Sequence, residues 1–228
     1  MWQELYRELG PRGLQIVTVA LDTGGMEAIR PWIEAARPEH PSLIDRAHVV
    51  DELFGITNVP SGVWIDEAGT IVRPPETAYP RRPDYEDREI PPDASPVEAA
   101  RIQEVRKLRT EAEKYVSALR DWVEHGAGSR FVLSPEEVLR RSRPRPVEEA
   151  QAAAHFELGQ HLHHLGRAED AVRHFREAYQ LQPDNWTYKR QAWTLLGPDQ
   201  TPLGVYGSDW LTDVKRIGAE NYYPPLEM

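Results

Sequence analysis

Apolar side chains recur at Trp2, Leu5, Tyr6 and Leu9, the spacing of one helical face, and Gly10-Pro11 closes the run. The pattern then changes from a stripe to a block. Residues 14–21, "LQIVTVAL", are almost wholly apolar and rich in β-branched side chains, which predicts a strand covered on both faces in a parallel sheet. The turn "DTGG" at 22–25 leads to Met26, Ile29, Trp32 and Ile33, a second helical face in which Pro31 either confines the regular part or lies near the first turn.

A short helix is predicted from about Ala47 to Phe54, stopped by Gly55. Ser61 to Ile65 and Thr70 to Arg73 read as strands joined by Asp66-Glu67-Ala68-Gly69, with Gly69 free to take a positive φ. Pro60 stands directly before the first of these strands, where no ladder donor is needed. Helix, strand, helix, helix and hairpin together predict an α/β layer.

Seven prolines and many charges between Pro74 and Pro96 predict an exposed, extended linker. Helical periodicity returns over Val97–Glu124 at Val105, Leu108, Ala112, Tyr115, Leu119, Trp122 and Val123, a stripe that needs a partner. A second break, "RRSRPRP" at 140–146, precedes "AAAHFELGQHLHHLGRAEDAVRHFREAYQLQP" at 152–183. There Leu158-Gly159, Leu162, Gly166, Ala171, Phe175, Ala178 and Pro183 fall at the small, bulky and proline positions of a tetratricopeptide repeat, with His155 in the usual aromatic slot. Small residues let two antiparallel helices approach, and Phe175 fills the space between them. "DNWTYKRQAWTL" starts a third helix without completing a second repeat, so the unit is expected to pack on the rest of the chain or on another copy rather than to serve as a dedicated peptide-binding groove. In the tail, Ser208 is the expected cap, Leu211, Val214 and Ile217 the stripe, Gly218 the stop, and Trp210, Tyr222 and Tyr223 packing anchors.

The 228 residues carry a formal net charge of -10, which argues against a general nucleic-acid or anionic-membrane binder. No stretch approaches the roughly 18 apolar residues of a membrane span, and Met1-Trp2-Gln3-Glu4 starts no signal peptide, so a cytoplasmic location is expected. There is no cysteine, which removes disulfides, thiolate nucleophiles, iron–sulfur clusters and cysteine zinc sites from this chain.

Other chemistry is thin. His161 and His164 stand at i and i+3, a usable ligand spacing, but without an H-E-x-x-H motif they and His155, His163 and His174 are expected to be solvated or packing residues, with no metal and no cofactor. Asp22, Asp45 and Asp66 are expected to serve turns. Arg140, Arg141, Arg143 and Arg145 read as a solvated linker rather than a docking patch. Neither a phosphate-binding glycine loop nor a G-x-S-x-G elbow is present.

Against this background "LQIVTVALD", "LIDRAHVVDELFGITNVPSGVWID" and "GTIVR" resemble successive parts of a thioredoxin-like fold, in the thiol-disulfide reductase and peroxiredoxin (ResA, TlpA, AhpC/TSA, redoxin) branch. The resemblance covers about a third of the chain. It implies an incomplete thioredoxin-like α/β domain without its central strand, and it implies that Val59-Pro60 is a cis pair at which a substrate peptide meets the backbone of Val59. It further implies a thiol- or selenol-dependent disulfide or peroxide oxidoreductase. That chemistry needs a Cys or Sec that these residues lack, so no catalytic residue is expected here. Two readings of the absence stay open: a redox-inactive descendant, or a chain whose start lies downstream of a selenocysteine codon. Either way, the strands at 14–21 and 61–65 would have unpaired edges, and direct re-pairing of the two or poor solubility is expected.

The organisation read from the sequence is a partial thioredoxin-like domain over 1–75, a Pro-rich linker over 76–96, a long helix and connection over 97–146, tetratricopeptide-like helices over 147–197, and a C-terminal helix and tail over 198–228. The expected partner is a protein or redox substrate at the cis-proline region, with room for a homo-oligomer. The alternative function is a redox-inactive interaction or dimerisation module.

Overall fold

A computed structural model describes residues 2–142 and 144–228. It is mostly helical, with two small sheets. Helix α1, Trp2–Leu9, buries Leu5 and Leu9 as its periodicity predicts. Strand β1 is shorter than expected, Thr18–Leu21, and pairs in parallel with β2, Ser42–Asp45, from Thr18↔Ser42 to Leu21↔Asp45. Between them α2, Met26–Ala36, continues past Pro31, which lies inside it, and buries only Ile29.

The expectation of a first strand covered on both faces is not met. All four residues of β1 are half-buried, and Val17, just before it, is 51% exposed. The physical reason is that β1 has a partner on one side only, while α2 leaves Met26 and Trp32 in solvent.

Helix α3, Val49–Phe54, ends at Gly55 in the left-handed conformation, as the sequence predicts. Strands β3, Ser61–Ile65, and β4, Ile71–Thr77, form a separate antiparallel hairpin. Re-pairing of the two apolar strands does not occur: β1 pairs with β2 and β3 with β4. Each is anchored to a different helix. The hairpin is held by Tyr115, whose hydroxyl accepts the Trp64 indole N–H at 3.1 Å. Beyond β1, the Thr23 N–H and hydroxyl bond side chains of the helical region.

The proline-rich stretch begins inside the sheet. Gly62 pairs with Glu76 and Trp64 with Arg73, so Pro74 and Pro75 stand opposite the single residue Val63. A bulge places two residues that cannot donate where the ladder is interrupted. Ala78 and Tyr79 are buried beyond it, so the predicted exposed linker is exposed mainly past residue 80.

The single long helix expected over 97–124 is two helices, α4 (Pro96–Val105) and α5 (Ala112–His125). Glu111 turns the chain at φ 45°, and its carboxylate accepts the Leu226 N–H at 2.6 Å. The continuous apolar stripe serves two cores: Leu108 and Ala112 join one, Tyr115 and Leu119 the other. Tyr115 lies against the hairpin so closely that a Cβ on Gly62 would be 2.5 Å from its hydroxyl.

Helix α6, Pro135–Arg141, precedes α7 (Val147–His164), α8 (Ala168–Leu181) and α9 (Trp186–Thr194). A short α10, Pro202–Tyr206, was not foreseen; α11, Trp210–Ile217, was, although its cap is Asp209, not Ser208. Among the described residues three apolar clusters form: Trp64, Tyr115 and Leu226 with α1; Tyr79, Trp186, Trp210, Tyr222 and Tyr223; and Phe156, Phe175 and Tyr188 within the α7–α9 helices. Among the described residues no helix is long and apolar enough to cross a membrane.

Candidate functional site

Helices α7 and α8 pack as an antiparallel pair because Gly159 carries no side chain. A Cβ there would lie 2.6 Å from Cε1 of Phe175, which is 2% exposed. Ala171 and Ala178 on α8 are each 1% exposed, and Phe156 stacks on Tyr188 of α9 at 4.1 Å. This is the small-and-bulky pattern read from the sequence, now as contacts.

Between α8, the end of α9 and α10 lies a groove of about 1080 Å³, lined by Val172, Phe175, Arg176, Leu195, Val205 and Tyr206 among others. Arg176 donates to the Val205 carbonyl across it, at 3.2 Å from Nε. A smaller depression of about 640 Å³ follows α7 and α8 past Leu158, Leu162, Arg173 and His174.

Of the histidines expected to be solvated or packing residues, His155 meets His174 across the two helices, Nδ1 to Nδ1 at 2.9 Å, in a pair invisible to local spacing. Burial, and then the neighbouring His155, holds the His174 pKa below its usual value. Among the described residues, no three histidine or carboxylate side chains come together as a metal site.

The Val59-Pro60 bond is cis, and both residues are half-buried. The turn is gripped from several elements. The Val59 N–H donates to Asn58 Oδ1 at 2.9 Å, and the Val59 carbonyl accepts the Tyr223 hydroxyl at 3.2 Å. Asn58 donates to the Tyr222 carbonyl at 3.0 Å, and the Pro60 carbonyl accepts the Ala78 N–H at 3.1 Å. Thr57 receives two donors from the start of α9, Trp186 N–H at 2.6 Å and Thr187 N–H at 3.2 Å. Behind Tyr223 the hydroxyls of Tyr79 and Tyr85 continue a chain of 2.8 Å hydrogen bonds, with burial pushing the Tyr85 phenol up to about 12. A peptide pairing with Val59 would have to displace Tyr223 and the Asn58 amide oxygen.

The three aspartates act in turns. Asp22 accepts Gly24 N–H, Asp45 accepts those of Ala47 and Val50, and Asp66 accepts those of Ala68 and Thr70. The arginines are paired rather than merely solvated. Arg140 and Arg141 bond Glu137, Arg141 also reaches Glu76, and Arg145 bonds Glu52. Arg143 lies outside the described residues.

Sequence reading missed one cluster entirely. His48, Asp51, Thr23, Gln160 and Gln191 are each at most 6% exposed and form a hydrogen-bonded seam between the α/β layer and the helices. Gln160 and Gln191, polar residues inside apolar helix faces, were the available signal. The members lie up to 168 residues apart, so no local pattern joins them.

No curated protein and no solved structure matches the chain. The tetratricopeptide repeat family matches residues 152–185, which are α7 from its second turn, all of α8 and the cap of α9. The chain therefore contains one tetratricopeptide repeat, built into a larger helical region.

Proposed function

We propose that the chain is a protein-interaction module, working in the cytoplasm, whose repeat presents a groove to a short peptide segment of a partner. The groove between α8, α9 and α10 supports this reading. It is peptide-sized, its lining includes the apolar Val172, Leu195 and Val205, and Arg176 and Arg173 stand beside it against Glu169, although Arg173 is already paired with Asp170. In a chain of net charge -10, a locally basic wall favours a segment with an apolar anchor beside an acidic residue. A displayed peptide library tests it. Selected peptides should share that composition, compete with one another, and lose about tenfold or more in affinity on Val172→Asp, since tenfold is 1.4 kcal/mol. Binders indifferent to both Val172→Asp and Arg176→Ala would overturn it.

A second reading is a redoxin-type scaffold, an oxidoreductase whose Cys or Sec is absent from this chain, with Val59 and Pro60 as its substrate contact. It is supported by the element order β1, α2, β2, α3, β3, β4 and by the separation of the two strand pairs. The coding sequence ahead of Met1 tests it. An in-frame strand ending in Cys or Sec supports the reading, and its absence rejects it.

A further inference from the structure

His48 is the N-terminal cap residue of α3, held at φ 58°, a left-handed conformation that non-glycine residues rarely adopt, and is 3% exposed. Both of its ring nitrogens face oxygen. Nδ1 lies 3.0 Å from Asp51 Oδ2, and Nε2 lies 3.0 Å from Gln191 Oε1. The Gln191 amide is oriented by its other contacts. Its oxygen takes the Thr23 N–H at 2.9 Å, and a backbone N–H can only donate. Its nitrogen donates at 2.9 Å to the Thr194 hydroxyl, whose own proton goes to the Gln191 carbonyl at 2.8 Å. Two acceptors require two donors, and a neutral imidazole has one.

We propose that His48 is a proton-operated latch: as an imidazolium it bridges Asp51 and Gln191 and so joins the α/β layer to the helical region, and loss of one proton releases Thr23. With Nε2 deprotonated, a lone pair faces the Gln191 oxygen. Turning the amide over satisfies His48, but it takes the acceptor from the Thr23 N–H and the donor from Thr194. Thr23 is 2% exposed, so no water replaces that acceptor. Its hydroxyl, held by Gln160 at 2.6 Å, carries the disturbance on to α7.

The charged groups facing the ring are Asp51 from α3 and Asp45 from the end of β2. From α7 the ring meets the edge of Phe156, at 5.1 Å, and from α9 the neutral Gln191. Burial, the largest single influence, pulls the imidazole pKa down. The Asp51 hydrogen bond and charge, with Gln191 and Asp45, outweigh it, and the net shift is upward. Asp51 Oδ1 is buried with no hydrogen-bond partner, so the carboxylate depends on His48 for its compensation. A raised folded pKa means the latch contributes fully below about pH 6.5, the unfolded value, and is lost as pH rises through the folded one.

The test uses the whole chain. Long-range proton–nitrogen NMR from pH 5 to 9 should show His48 protonated on both nitrogens at pH 6.5, with a midpoint above it. Exchange of the Thr23 amide, corrected for base catalysis, should speed up about tenfold for each unit the folded midpoint lies above the unfolded one. Gln191→Glu, an acceptor that cannot turn over to donate, should raise the midpoint and keep Thr23 protected to higher pH. His48→Gln assigns the signal; if that variant does not fold, the contact with Phe156 assigns it. A singly protonated His48 at pH 5, or Thr23 protection flat across the titration, would overturn the proposal.

Discussion

The face of Gly159 and the ring of Phe175 leave no room for a methyl group between them: an added Cβ would be 2.6 Å from Cε1 and 2.8 Å from Cδ1. Alanine is intrinsically better than glycine inside a helix by about 1 kcal/mol, yet here the neighbour is a buried ring that cannot swing away. Overpacking of this kind costs about 1–3 kcal/mol, so Gly159→Ala is expected to lower the thermal midpoint. Adding Phe175→Leu should recover part of the loss. A stabilised single variant would show that α7 and α8 are not packed this closely.

Lys189 and Asp213 form a buried ion pair at 2.6 Å, with the ammonium 4.8 Å from the centre of the Trp186 ring. Lys189→Met leaves the carboxylate with the Ser208 hydroxyl at 2.7 Å and a distant Arg216. Breaking one side of such a pair costs about 3–5 kcal/mol. Urea unfolding of Lys189→Met, Asp213→Leu and the double variant should show the double to be more stable than the lysine variant alone.

Arg73 is 2% exposed and ties three elements together. It bonds the Phe131 carbonyl at 2.6 Å, Glu76 at 2.5 Å and the Glu227 carbonyl at 3.0 Å. Lysine carries the charge but not the fork. Arg73→Lys is therefore expected to destabilise by about 1.5–3 kcal/mol, the range for hydrogen bonds to a charged group. Equal stability of the two proteins would mean that the C-terminal tail is not held this way.

Alkaline pH should unfold the protein steeply. Burial pushes the Tyr115 phenol up to about 12, although the Trp64 N–H bonded to its oxygen acts the other way, and Tyr206 is likewise raised to about 12. The neutral phenol is the form the fold prefers. Stability from these groups is complete below the unfolded value of about 10 and is lost as pH climbs toward 12. Circular dichroism between pH 9 and 12.5 checks this; a helical signal unchanged at pH 12.5 would refute it.

What the sequence made legible was local. The α1 stripe, the Gly55 stop, the β3–β4 hairpin and the repeat each rest on residues a few positions apart, where periodicity and turn chemistry act directly. Strand β2 escaped notice because "SLID" is short and its parallel partner lies 24 residues away. The turn at Glu111 was hidden because the apolar stripe runs through it unbroken while the chain divides it between two cores. Pro74 and Pro75 read as linker because nothing local announces a bulge opposite Val63. Likewise Val59 and Pro60 stood out at once, but Tyr223, which bonds Val59 from 164 residues away, did not.

The Thr57 carbonyl, by taking the Trp186 and Thr187 amides, makes the first unit part of the capping of the last repeat-associated helix. Cut out at residues 147–197, the repeat-bearing segment would bare the Trp186 and Thr187 amides and the greasy sides of Phe156 and Trp186 that face the rest of the chain. Grafts of the segment onto another scaffold should therefore precipitate.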